Sequence, residues 1–130
     1  MSVPRTLDGF DVAAAIGRML DQPMLWWQAV GLFVEHFADW EQAWRESVGD
    51  HAREQKRVHA LRSAAANVGA TALAERAAAL ENQLLKCLAG QANAVPDNLR
   101  QSLQQSFRQT WLAAAEAWKS AAPSSEGRGR

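Results

Sequence analysis

Along most of the chain, apolar side chains recur at alternating steps of four and three, the spacing that stacks them on one side of an α-helix. The strongest run is Trp26, Val30, Phe33, Phe37, Trp40 and Trp44. It predicts one long helix capped by Asp21, with Pro23 in the first turn, where N–H groups have no intrahelical partner to lose. Trp27 lies off this seam and is expected to add minor packing or a docking contact. Upstream, Val12, Ala15, Ile16 and Met19 predict a short leading helix over Asp11 to Leu20, weakened at its middle by Gly17. Gly49 followed by Asp50 stops the long helix and caps the next, from about His51 to Val68, where Gly69 ends it. Its stripe is Val58, Leu61, Ala65 and Val68; toward the N-terminus Glu54 and His51 stand where apolar residues should continue it. A fourth substantial pattern begins at Thr71 and carries Leu73, Ala77, Leu80, Leu84 and Cys87 or Leu88 as far as Gly90. The last opens at Pro96 and carries Leu99, Leu103, Phe107, Trp111, Ala114 and Trp118.

The pattern therefore reads as all-α. Four substantial amphipathic helices on short connections, with one short leading helix, most economically form an up-down-up-down four-helix bundle over residues 1–120. The small, polar residues 121–130 are expected to be a disordered tail.

Length and composition narrow this further. The 130 residues, 48% hydrophobic, suffice for one core and not for two. Fourteen basic and fourteen acidic side chains cancel, so no whole-molecule field favours a phosphate backbone, and a general nucleic-acid binder is disfavoured. One cysteine forms no internal disulfide, and Met1-Ser2-Val3-Pro4-Arg5 lacks the apolar stretch of a secretion signal, so the cytoplasm is the expected compartment. Charges interrupt every apolar run before the ~20 residues a membrane span needs, so no membrane partner is expected.

Most site chemistries have no sequence support. Glu-x-x-His pairs are absent, and His51-x-x-Glu54 runs in the reverse order on one helix only, so no metal site is expected. There is no Cys-x-x-Cys-His, no Gly-rich phosphate loop and no Gly-x-Ser-x-Gly turn, hence no nucleotide site or resident cofactor. What remains is the helix around His59. At roughly 100° per residue, Lys56 and Arg62 lie about 60° to either side of it, a turn down and a turn up, so two cations bracket an imidazole. The same arithmetic places His59 about 140° from the centre of the apolar stripe, facing solvent. Gln55, Ser63 and Ala66 share that face, and the short side chains of Ser63-Ala64-Ala65-Ala66 leave a low shoulder over which another protein can approach.

The stretch His59-Ala60-Leu61-Arg62-Ser63-Ala64-Ala65-Ala66-Asn67-Val68-Gly69-Ala70-Thr71-Ala72-Leu73, continuing to Leu80-Glu81, resembles the signature of histidine-containing phosphotransfer (HPt) domains. Phe33-Val34-Glu35-His36-Phe37 resembles the helix that precedes it in that family. The resemblance implies a four-helix bundle in which His59 is the phosphoacceptor and Arg62 takes the place of the family's usual lysine. It places Ser63 where a glycine is common, so the hydroxyl can bond to the phosphoryl group or fold back onto the His59 carbonyl. Glu81 falls where a glutamine or glutamate often holds the ring by its other nitrogen.

On this reading the neutral imidazole is the nucleophile. With the Nδ1 proton given to Glu81 or to a backbone carbonyl, Nε2 faces outward as acceptor. Lys56 and Arg62 offset the phosphoryl charge, and Gln55 donates a further hydrogen bond. The implied partners are receiver domains of a hybrid sensor histidine kinase and of a response regulator, which would carry the Mg²⁺; the chain itself is a phosphocarrier without an ATP site, expected to be a monomer. Docking is expected around His59 and Ala66, with Val12, Ile16 and Met19 of the leading helix. The competing reading is a non-catalytic bundle of the same shape that only sequesters a receiver or a kinase.

Overall fold

The computed structural model describes residues 3–121. They form six helices: α1 (Val12–Arg18), α2 (Pro23–His36), α3 (Trp40–Ser47), α4 (His51–Val68), α5 (Thr71–Leu88) and α6 (Asp97–Ala121). Among the described residues there is no strand, only an isolated bridge between Leu7 and Phe10. The residues expected to form a disordered tail lie outside those described, apart from Ala121, which ends α6.

Most boundaries follow local chemistry. The Asp50 carboxylate accepts a hydrogen bond from the Arg53 N–H and starts α4. Gly69, at φ +86°, closes the same helix in the left-handed conformation. Asp11 caps α1 by accepting from the Ala14 N–H. Asp21 does not cap α2 as expected. Leu20 and Asp21 both adopt positive φ, +60° and +56°, and the Asp21 N–H is spent on the Ile16 carbonyl, closing the end of α1. Gln22 takes the N-cap position, with no side-chain cap.

The single long helix expected from Trp26 to Trp44 is broken. α2 ends at His36 with Phe37 as its C-cap, and α3 restarts at Trp40 after the N-cap Asp39. Both flanking residues leave the α region for the bridge region, at φ −107°, ψ 10° and φ −104°, ψ 7°, yet Phe33, Trp40 and Trp44 remain buried on either side, so the four-three spacing of the core positions continues across the break. The bend serves packing: α2 lies against α4, α6 and α1, whereas α3 lies against α4. The Trp40 indole N–H donates to the Arg57 carbonyl, and its ring stacks on Trp44 and tilts against Phe107 of α6.

Packing forms a closed circuit of α2 on α4, α4 on α5, α5 on α6 and α6 on α2. Its interior holds Trp26, Val30, Phe33, Val58, Leu61, Leu73, Leu80, Leu84, Leu103 and Phe107. Trp27 is fully buried too, which corrects its peripheral assignment. α2 has neighbours on two sides, and its second buried face receives the Trp118 ring, which lies against Trp27 and over Gly31. A Cβ at Gly31 would sit 2.5 Å from that ring.

Glu54, the polar intruder in the α4 stripe, is fully buried. It accepts the Trp44 indole N–H at 3.0 Å and a bidentate pair from Arg100 of α6, at 2.9 and 2.8 Å. Its charge is therefore answered where a methyl group was expected.

Candidate phosphotransfer site

α4 and α5 meet along their length, and the site lies on the solvent side of that seam. The His59 side chain is 60% exposed, although its neighbour Val58 and Leu61 two residues on are buried on the opposite face. Below it stands Glu81 of α5, only 3% exposed. Three side chains of α4 converge on this one carboxylate. His59 Nδ1 lies 2.8 Å from Oε2, Gln55 Nε2 donates to the same oxygen at 2.7 Å, and Arg62 donates to Oε1 at 2.9 Å. Burial pushes the Glu81 carboxyl up, but the hydrogen bonds from Arg62, Gln55 and His59 outweigh it and hold the group below the ordinary carboxylate range. An ionised carboxylate only accepts, so Nδ1 must be the donor. In the neutral ring with Nδ1 protonated, the lone pair belongs to the other nitrogen, Nε2.

The expected site residues divide accordingly. His59, Gln55, Arg62 and Glu81 come together; Lys56 and Ser63 are exposed beside them. Arg62, expected to face a phosphoryl group, is held on Glu81, and so is the Gln55 amide. Lys56 makes no ion pair among the described residues. The Ser63 hydroxyl makes no hydrogen bond there either, so it is not folded back onto the His59 carbonyl.

The expected docking residues fare differently. Ala66 is exposed, and its carbonyl accepts from Arg18 of α1 at 2.9 Å. Ile16 and Met19 are half-buried against the core. Val12 is only 5% exposed and belongs to the core, so it is not a docking residue. The start of α1 is drawn inward because the Asp11 N–H donates to the Gly69 carbonyl at 2.8 Å.

Two features went unread in the sequence. One is the capture of Arg62 by Glu81, which depends on the register of α4 against α5. The other is a cleft of about 600 Å³ on the Lys56 side of His59, walled by Phe37, Trp40 and the basic face of α4. Its signal was available: every charged side chain on the solvent face of α4 is cationic. Among the described residues no group of three or more His, Cys, Asp or Glu side chains is placed to hold a metal ion, and no helix is long and apolar enough to cross a membrane.

The site thus presents an exposed imidazole, braced from below by a buried carboxylate, on an all-helical fold. Among known families, the Hpt domain model matches residues 31–118, more than half of the chain, and the chain belongs to that family. Hpt domains serve histidine phosphotransfer in two-component phosphorelays and interact with receiver domains of kinases and response regulators. No curated protein and no solved structure matches it.

Proposed function

We propose that this chain is a relay intermediate that takes a phosphoryl group from the aspartate of one receiver domain, holds it on His59 Nε2 and passes it to the aspartate of another. The observation that carries the reading is the His59–Glu81 contact, which fixes a proton on Nδ1 and leaves Nε2 nucleophilic. In the first step the Nε2 lone pair attacks phosphorus, the P–O bond to the donor aspartate breaks, and that oxygen leaves with the electron pair as a carboxylate. The second step reverses this toward the acceptor. Charge on the ring during transfer is answered by Glu81 through Nδ1, and charge on the phosphoryl oxygens by Lys56, which is free to turn toward them. Arg62 and Gln55 act on the ring through Glu81, and Arg62 reaches the phosphoryl group only by exchanging partners.

The closed circuit of α2, α4, α5 and α6 supports the up-down-up-down bundle, with α1 and α3 as accessories. The partners on this reading are a hybrid sensor kinase's receiver and a response regulator's receiver, with Mg²⁺ held in the receiver; the chain acts in the cytoplasm as a monomeric carrier, not as an enzyme with its own ATP site. Incubation with a phosphorylated receiver should place acid-labile, alkali-stable label on this chain and none on His59→Gln. A receiver that loses its phosphate only by hydrolysis would instead favour a bundle that sequesters its partner without chemistry.

A further inference from the structure

The chain is neutral overall, yet its cations are unevenly answered. Arg62, Arg100 and Arg108 are each paired with a glutamate, Arg76 donates to Ser102, and Arg18 donates to the Ala66 carbonyl. Arg53, Lys56 and Arg57, all exposed on α4, have no such partner among the described residues. The only carboxylate that α4 possesses, Glu54, points into the core and is consumed by Arg100. What α4 shows to solvent is therefore of one sign. These three side chains line the cleft beside His59, together with His36 at the end of α2, and the floor is the Phe37 and Trp40 rings.

An aspartyl phosphate is anionic, and on the relay reading the receiver presents it beside the carboxylates that hold its Mg²⁺, so the presenting face is acidic. Such a surface gains from a like-signed set of cations placed to one side of the acceptor, because the set orients the approach before contact. We infer that the Arg53–Lys56–Arg57 cleft is the docking and steering surface for an acidic protein face, that of the receiver domain delivering the phosphoryl group to His59. This rests on the relay reading for the partner's identity. It moves the centre of the interface away from α1 and onto the groove between α4 and the α2–α3 corner. Ala60, exposed and lining the cleft, is the neighbour of His59 in α4, so a short side chain stands at that end of the groove.

Arg53 and Arg57 are the residues to test, because neither touches His59 or Glu81 and glutamine keeps helix propensity nearly unchanged. A panel of receiver domains phosphorylated with acetyl phosphate supplies the donors, and the fastest is followed at several salt concentrations. In Arg53→Gln/Arg57→Gln, transfer to His59 should slow by about tenfold at low salt and lose most of its salt dependence, while direct labelling of His59 by phosphoramidate stays as in the wild type. An unchanged rate and salt slope would overturn the inference. Binding is read separately by NMR titration with the unphosphorylated receiver. Amides of residues 36–40 and 53–60 should shift in the wild type and not in the variant. Shifts confined to another face, or no binding by any receiver, would overturn it, as would saturation of the same residues by a ten-nucleotide single-stranded DNA in preference to a receiver. If no receiver labels the wild type, the relay reading fails, and the titration still decides the docking surface on its own.

Discussion

A carboxylate that is almost fully buried and accepts from an imidazole, an amide and a guanidinium is stable only while charged, and this makes Glu81 the residue on which the site depends. Its folded-state acidity is stronger than that of an unfolded chain, so its contribution to stability is full above about pH 4.3 and is lost as pH falls through the depressed value. Urea unfolding at a series of pH values should therefore show wild type more stable than Glu81→Gln near neutrality, with the gap closing in acid. Nitrogen-15 spectra of His59 should report the Nδ1–H tautomer. Ser63 is a milder case: exposed and unbonded, it should tolerate Ser63→Gly with transfer rates within about twofold and a stability loss of about 0.5 kcal/mol, measured by denaturant melts. The outward aspect of His59 was legible from helical arithmetic, because position on one helix is enough to fix it. The grip of Arg62 on Glu81 was not, since it is a contact between two helices whose register no spacing within either of them encodes.

At the scale of the elements, two glycines decide where helices can meet. Gly69 closes α4 at positive φ, and a Cβ there would come within 2.8 Å of both the Asp11 carbonyl oxygen and the Ala15 Cβ. Gly69→Ala should cost about 1–3 kcal/mol, from backbone strain and the clash together. Faster hydrogen exchange confined to α1 and the α4–α5 corner is the measurement that checks it. Gly31→Ala should cost a similar amount by lifting Trp118 off α2. Helix identity was readable because period and punctuation agreed at Gly49-Asp50, Gly69 and Pro96. The break at Phe37 to Asp39 escaped because it is short and carries neither Gly nor Pro, and the buried positions keep their four-three spacing on both sides of it. Trp27 escaped for a different reason: one seam marks one buried face, and a helix flanked on two sides needs a second, which here is marked only by a missing side chain at Gly31.

Across the whole molecule, Glu54 joins three helices through one carboxylate, linking Trp44 of α3 to Arg100 of α6 from its own place on α4. Glu54→Ala leaves a buried indole N–H and a guanidinium without their acceptor and should cost about 3–5 kcal/mol, seen as a cooperative loss of stability in thermal unfolding rather than local fraying. Nothing in the sequence named Arg100 as the partner, 46 residues away; a charged residue inside an apolar stripe showed only that a partner was needed. The Trp40 indole N–H is tied to the carbonyl of Arg57, two residues before His59, and its ring floors the adjoining cleft. Since the chain contains six tryptophans and no tyrosine, its near-ultraviolet emission comes from indole with no phenol background. The protein thus carries its own optical gauge beside the acceptor histidine, and receiver engagement can be followed in real time without attaching a dye.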